Sequence, residues 1–208
     1  MKIYDRYPGY RVLDQRGHWD PATREVVLDR VHNVPPYRHL NREQQATLEA
    51  LCARVLPQDH RPPDRRVPIA PWIDSLCAKN TYEGFRFDDM PANDIAWDWG
   101  LAGLDQTAQA LHGNRFVDLD GSQQDAVLGA VRDGYPPGEV WQRMPAHRWW
   151  VYVALRQITG VYYAHPYAWD EIGFGGPAYP RGYFALNHGA PEPWEVPEAP
   201  APGGEVRP

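Results

Sequence analysis

Three polar residues in the last quarter of the chain have side chains that could do chemistry. His165, Asp170 and Glu171 lie within seven positions of one another, and a histidine beside two carboxylates can bind a metal ion or move protons. The chain contains no HExxH or CxxC pattern and no second histidine at helical spacing from His165. The other interpretation is structural: His165 and Pro166 shape a turn, and the two acids cap the segment that follows.

Nucleophilic residues give weaker indications. Ser75 and Ser122 fall within or at the start of predicted helices, and no GxSxG pattern is present. Cys52 and Cys77 fall on the apolar faces of their predicted helices, where thiols usually pack and do not react. Two cysteines are too few for a disulfide framework, although one bridge, between them or to a partner, stays open.

The glycines of the sequence GFGG, residues 173–176, do not have the spacing of a nucleotide site. A dinucleotide fingerprint needs GxGxxG between a strand and a helix, where the backbone can approach the phosphates. GFGG follows no predicted strand and opens no predicted helix, and the CxxCH motif of c-type haem is absent. We therefore predict no flavin, nicotinamide or haem bound by this chain alone.

Aromatic rings between glycines and prolines characterise residues 164–188, AHPYAWDEIGFGGPAYPRGYFALNH. Tyrosine and tryptophan are enriched at the centres of protein interfaces. Glycine lets a neighbouring backbone approach closely, and proline lowers the entropic cost of ordering a segment. A segment of 25 residues without predicted helix or strand is long for a compact domain, and such segments are usually functional.

Two interpretations of this aromatic segment stay open: its rings fold back onto the protein's own helices, or they form a surface that binds another protein. We favour a surface that is at least partly an interface, because the N-terminal arm and the tail also need something to lie against. The predicted partner-binding residues are Tyr163, His165, Tyr167, Trp169, Glu171, Phe174, Tyr179, Tyr183 and Trp194.

The overall composition excludes several classes of protein. The chain has 208 residues, of which 43% are apolar and 23% charged, as in a soluble globular domain with extensions. Its 22 prolines and 18 glycines exclude a long coiled coil. A net charge of −6 disfavours nucleic-acid binding, which requires neutralised phosphates. No run of 18 apolar residues is present, so we expect no membrane-spanning helix.

The start of the chain, MKIYDRYPGYRVLDQ, has no apolar stretch of signal-peptide length. Arg65 and Arg66 lie too far from it to form a twin-arginine export signal. We therefore expect a cytoplasmic protein.

Helical periodicity predicts the elements that must position these residues. Asp20 before Pro21 caps a short helix over 22–31, and Asn41 with Gln44 forms a capping box for a helix over 41–56. Further apolar faces predict helices over 69–77, 92–112, 122–132 and 145–163. No alternation typical of strands is present. The predicted fold is all-α, an irregular bundle of five or six helices. It comprises an extended N-terminal arm (1–40), a helical domain (41–188) with the aromatic loop 164–188, and a proline-rich tail (189–208).

Several segments also resemble one protein family. The most specific is GVYYAHPYAWDEIGFGGPAYPRGY, residues 160–183, which is similar to the C-terminal signature of the gluconate 2-dehydrogenase subunit 3 family. The order of the other segments also matches that family: RYPGY and VL within 6–13, LEALCARVLP (48–57), LAGLD (101–105), HGNRFVDL (112–119), QQDAVL (123–128) and EPWE (192–195).

The resemblance implies a small, non-catalytic subunit beside a large FAD-dependent dehydrogenase of the glucose-methanol-choline type. In such complexes the large subunit oxidises a hydroxyl group of a sugar, sugar acid or polyol, and a cytochrome c subunit often accepts the electrons. The resemblance therefore implies a heteromeric 1:1 pair with FAD in the partner, haem c in a third subunit where one joins, and no catalytic residue in this chain.

Two other functions stay open at this point. The chain could act as a transient chaperone or export escort for the large subunit, or as a small stand-alone enzyme that uses His165 with Asp170 or Glu171. Many relatives begin with a twin-arginine signal, which this chain lacks. The resemblance therefore allows a periplasmic location only if the chain is exported together with its partner.

Overall fold

The computed structural model describes residues 6–79, 85–184, 192 and 194–199. Within these ranges the chain is helical and contains no β-strand, which confirms the all-α prediction. The α-helices are α1 (Pro21–His32), α2 (Arg42–Val55), α3 (Ile69–Ala78), α4 (Asn93–His112), α5 (Gly121–Asp133), α6 (Ala146–Arg148), α7 (Arg156–Tyr163) and α8 (Pro166–Ile172).

The described residues contain more helices than the five or six predicted, for two reasons. The predicted helix over 145–163 is divided, because a π-helical segment, Trp149–Leu155, separates α6 from α7. In addition, α8 forms in the segment that was expected to lack regular structure. None of the helices in the described ranges is long and apolar enough to cross a bilayer.

The predicted helix caps are confirmed at α1 and α2. The Asp20 carboxylate accepts a hydrogen bond from the Thr23 amide at 2.8 Å, and Pro21 occupies the first turn. Asn41 and Gln44 form the reciprocal capping box. Such caps satisfy amides that have no partner within the helix, so they fix where each helix begins.

The start of α5 differs from the prediction by one residue. The sequence suggested a helix that begins at Ser122, but α5 begins at Gly121. Asp120 is the cap, because its carboxylate accepts hydrogen bonds from the amides of Ser122 and Gln123 at 2.9 Å each. At the other end, Gly134 takes the left-handed conformation, with φ 89°, which terminates the helix.

The described residues divide into two compact units. The helical unit comprises residues 35–62 and 68–161, and the terminal unit comprises the described residues of 1–34, 63–67 and 162–208. The terminal unit therefore groups the predicted arm with the aromatic segment and the described part of the tail. It also includes the short 3-10 helix Pro63–Arg65, which lies in the polar sequence PQDHRPPDRRV between α2 and α3.

The helical unit is built around α4, which packs against α2, α3 and α5. Trp97 and Trp149 are fully buried at its centre, with their ring centroids 5.8 Å apart. The indole Nε1 of Trp97 donates to Gln157 Oε1 at 2.8 Å, so this buried donor is satisfied. Phe116 and Leu119, which follow α4, are both buried.

Both cysteines lie inside the helical unit as free thiols. Burial raises the pKa of the Cys52 thiol well above its ordinary value, and burial followed by the nearby Asp74 charge raises the pKa of Cys77 to about 12. Neither thiol is ionised at neutral pH, so neither is a ready nucleophile. This confirms that both residues lie on apolar helix faces.

Candidate partner-binding site

The predicted site residues lie in the terminal unit, most of them on or around α8. This helix begins at His165, whose Nδ1 accepts a hydrogen bond from the Tyr167 amide at 3.2 Å. His165 Nε2 lies 3.1 Å from the Arg30 carbonyl oxygen, to which it donates. The two contacts together require the neutral tautomer with its proton on Nε2. His165 is therefore an N-cap that also connects α8 to α1, and the expectation of an irregular segment here is wrong.

Asp170 joins three separate parts of the chain. This buried carboxylate accepts a hydrogen bond from the Val12 amide at 2.8 Å and another from Arg65 Nη2 at 2.6 Å. The Arg65 guanidinium also lies 4.3 Å from the centroid of the Tyr167 ring, within the range of a cation–π contact. Sequence analysis missed Arg65, because nothing in the polar loop over 57–67 indicates that one of its arginines reaches a carboxylate 105 positions away.

Glu171 and Trp169 also bond within the terminal unit. The Tyr162 hydroxyl donates to Glu171 Oε2 at 2.7 Å. The Trp169 indole donates to the Tyr163 carbonyl at 2.6 Å, and its ring packs edge-to-face on Phe174 at 5.3 Å. Neither Asp170 nor Glu171 caps a following segment, because both lie within α8, which ends at Ile172. The expectation that the two acids cap the segment that follows is therefore wrong.

A small buried cluster forms the core of this unit: Val12, Trp19, Val27 and Trp169. Tyr10 packs against it, and its hydroxyl donates to the Phe174 carbonyl at 3.2 Å. Burial, followed by the charge of Asp170, raises the pKa of Tyr10 to about 12. The N-terminal arm and α8 thus share one core, as the interpretation in which the rings fold back onto the protein predicts.

Each glycine of the GFGG sequence lies under an aromatic ring. A Cβ added at Gly173 would lie 2.4 Å from the Tyr7 ring, and one added at Gly176 would lie 2.6 Å from the Trp19 ring. Both glycines also have φ values in the left-handed region, 65° and 80°, which other residues rarely adopt. At Gly175 the nearest ring is that of Trp194, at 2.9 Å.

Because aromatic rings fill the space above these glycines, the loop is not an open cradle for a phosphate group. Among the residues that the structure describes, no three His, Cys, Asp or Glu side chains are grouped so that they could hold a metal ion.

Beyond the glycines, three aromatic side chains point into solvent. Tyr179, Tyr183 and Phe184 are 67%, 61% and 60% exposed, and we call them the aromatic edge. The rings of Tyr183 and Phe184 lie 6.1 Å and 5.6 Å from that of Trp194. Sequence analysis did not select Phe184, although its position beside Tyr183 in the aromatic segment would have justified including it.

The nine predicted residues therefore differ in what they can do. His165, Trp169 and Glu171 are buried and bond within the terminal unit. Tyr163, Tyr179 and Tyr183 are exposed, whereas Tyr167, Phe174 and Trp194 are half-buried. For all nine residues, binding to a partner stays a prediction.

Comparison with known proteins identifies the family. The family model described as gluconate 2-dehydrogenase subunit 3 matches residues 42–176. This range includes α8 and the GFGG sequence but not the N-terminal arm or the residues of the aromatic edge. No curated protein and no solved structure matches significantly. Since the family model covers more than half of the chain, the protein belongs to the gluconate 2-dehydrogenase subunit 3 family.

Proposed function

We propose that the chain is a non-catalytic accessory subunit that binds and stabilises the large subunit of an FAD-dependent dehydrogenase. The large subunit is of the glucose-methanol-choline type and oxidises CH–OH groups. The observation that carries this proposal is the aromatic edge, whose three rings are exposed and of which two pack on Trp194. Burying one such ring against a partner would contribute about 1.5–3 kcal/mol before the costs of association.

The hydrogen bonds of the former catalytic candidates support a non-catalytic role. Both ring nitrogens of His165 are engaged by backbone groups. Asp170 holds Val12 and Arg65, and Glu171 accepts from Tyr162. A general base needs to reach a substrate proton, and these buried groups are instead used to connect parts of the same unit.

The flavin belongs to the partner in this proposal. The rings of Tyr7, Trp19 and Trp194 cover the GFGG backbone, which supports a structural role for these glycines. Electrons from the flavin would pass to an external acceptor or to a cytochrome c subunit, and substrate specificity would reside in the large subunit.

Co-expression tests this proposal. The large subunit is produced alone, with the wild-type chain, or with the double variant Tyr179→Ser/Tyr183→Ser, and soluble yield and flavin absorbance are measured. We expect soluble, flavin-loaded large subunit only with the wild-type chain, because a partner that binds the native state stabilises it by mass action. The matched control is Tyr135→Ser, which removes a 91% exposed tyrosine from the helical unit and should behave as the wild type.

Three results would contradict the proposal. The first is equal yield and flavin content without the chain, and the second is turnover of a carbohydrate by the isolated chain. The third is the absence of a stable 1:1 complex on gel filtration together with rescued yield, which would support a transient escort.

A further inference from the structure

The described part of the tail lies on the terminal unit through one tryptophan. The Trp194 ring lies above Gly175, where Cδ1 and Nε1 would be 2.9 Å and 3.2 Å from an added Cβ. The guanidinium carbon of Arg181 is 4.5 Å from the centroid of the same ring. Phe184 packs against it edge-to-face at 5.6 Å. The indole is therefore held between a glycine, a cation and another aromatic ring, which we call the tryptophan seat.

The residues that receive the Trp194 ring are held in place by their own hydrogen bonds. Arg181 Nη2 donates to the Gly175 carbonyl at 3.1 Å, and its Nη1 donates to Gln15 Oε1 at 3.2 Å. The guanidinium plane is thus fixed by the GFGG loop and the N-terminal arm. A preorganised cation costs little entropy when it stacks on a ring.

Hydrogen bonds extend the contact on both sides of Trp194. The buried carboxylate of Glu192 accepts from the Phe184 amide at 2.6 Å. Further along, the Ala199 amide donates to the Arg6 carbonyl at 2.7 Å. The Arg6 side chain also pairs with Glu198 at 3.4 Å. Two carboxylates of the tail are thus bound, Glu192 by a backbone amide and Glu198 by an arginine side chain.

The Trp194 indole itself makes no hydrogen bond to the described residues, although its Nε1 is buried. Its binding therefore depends on the flat ring and on the space that Gly175 leaves free. Releasing the ring would break no hydrogen bond of the indole, and in solution the N–H would gain one to water. These properties are typical of a segment that can leave its site and return.

We propose that the tryptophan seat is a recognition site for a tryptophan-bearing acidic segment, occupied in this chain by its own residues 192–199. Occupation also fixes Tyr183 and Phe184, because both rings pack on Trp194. This site concerns peptide binding by the chain alone, so its test is independent of the large subunit and of the proposed function.

The first test uses the full-length Trp194→Ala variant and a labelled peptide, EPWEVPEA, with the sequence of residues 192–199. We expect the variant to bind this peptide about tenfold more tightly than the wild-type chain, whose own tail competes for the seat. A peptide with alanine in place of tryptophan should bind about tenfold more weakly. Adding Arg181→Ala to the variant should weaken binding of the tryptophan peptide further.

A second variant covers the case in which Trp194→Ala does not fold. The three atoms nearest to a Cβ at Gly175 all belong to the tail residues Trp194 and Glu195, and the φ of Gly175 lies outside the region that favours glycine. Gly175→Ala should therefore displace only the tail. We expect faster hydrogen exchange at the Phe184 amide, which loses Glu192 as acceptor, and unchanged exchange in α4.

Binding of the tryptophan peptide to folded Trp194→Ala, with the expected loss for the alanine peptide, supports the site. Equal binding of the two peptides, or none by the folded variant, overturns it. If Trp194→Ala is unfolded, the exchange experiment decides: a protected Phe184 amide in Gly175→Ala contradicts the proposal, and an exposed one supports it.

Discussion

The helical unit and the terminal unit both pack aromatic rings on glycines, but they do so with very different chain geometry. In the helical unit, Gly100 and Gly103 lie inside α4 and face Trp149 and Trp141, so periodic helix faces bring the partners together. In the terminal unit, the glycines of one loop receive rings from both ends of the chain. One unit is organised by regular helices and the other by single contacts between distant segments.

Both units bury a carboxylate, but the groups that these carboxylates bind differ. In the helical unit, ion pairs such as Arg54–Asp125 lie at the surface, and the buried Asp74 accepts hydrogen bonds from the backbone amides of residues 38–40, which precede α2. In the terminal unit, the buried Asp170 binds the Val12 amide and the Arg65 guanidinium, which come from two separate segments. Most of the buried apolar residues lie in the helical unit, so its stability is distributed over many side chains, whereas the smaller terminal unit depends more on a few specific bonds.

The largest effect is expected from Gly100→Ala in the helical unit. The added Cβ would lie 2.0 Å from the Trp149 ring, which is fully buried between α4 and its neighbours. Overpacking of this severity should lower the free energy of unfolding by about 3 kcal/mol or more, measured by urea denaturation. Gly129→Ala is the matched control, since nothing lies within 4 Å of its Cβ in α5. It should stabilise the chain by about 0.5–1 kcal/mol. Similar effects of both changes would disprove the packing argument.

The next effect is expected from Asp170→Ala in the terminal unit. The change leaves the Val12 amide without its acceptor and removes the carboxylate from Arg65, whose side chain is 28% exposed. Arg65 would regain some hydration, which reduces the cost of losing the carboxylate. We therefore expect the free energy of unfolding to fall by about 2–3 kcal/mol. Hydrogen exchange should increase in α1 and α8 but not in α4. Asp125→Ala, which breaks a surface pair, should cost less than about 1 kcal/mol. If Asp170→Ala increased hydrogen exchange equally in both units, the proposed difference between the two units would be wrong.

A smaller effect, of opposite sign in the two units, is expected from pH. Burial raises the pKa of Asp105 in the helical unit, so its stabilising contribution is present below its ordinary pKa and is lost as pH rises past the raised value. Hydrogen bonds from Thr23 lower the pKa of Asp20 in the terminal unit, so its contribution is present at neutral pH and is lost in acid.

Two substitutions that remove the charge test these signs. We compare the free energy of unfolding of each variant with that of the wild type. As the pH rises from about 3 to about 7, Asp105→Asn should become more stable relative to the wild type, whereas Asp20→Asn should become less stable relative to it. Thermal unfolding at several pH values measures both trends. Parallel trends for the two variants would show that the two carboxylates do not differ in environment.

The smallest effect is expected from Glu198→Gln. Both members of the Arg6–Glu198 pair are 48% exposed, so the change should alter the free energy of unfolding by less than about 0.5 kcal/mol. Denaturation in low and high salt measures it, because an exposed pair is screened by salt. A loss comparable to that of Asp170→Ala would mean that charge at the surface, and not the buried carboxylate, holds the terminal unit.

The helical unit could be predicted in some detail because its information is local. Apolar residues at helical spacing and the caps at Asn41 and Gly113 mark α2 and α4 directly in the sequence. The error at α5 was small for the same reason, since Asp120 and Ser122 are both good caps and lie two residues apart. The aromatic segment was singled out from its composition, and the structure places its Trp169 in the buried core of the terminal unit.

The terminal unit could be predicted only in part, because the contacts that build it join distant positions. The sequence by itself determined the all-α class, the helices of the helical unit and, through the resemblance, the family. Only the tertiary structure decided that Arg65 reaches Asp170 and that His165 and Trp169 are internal. It also decided which rings are exposed among the described residues of the aromatic segment, namely Tyr179, Tyr183 and Phe184. The physical reason is that hydrophobic periodicity and capping act over a few residues, whereas a buried ion pair or a ring on a glycine depends on how the whole chain closes.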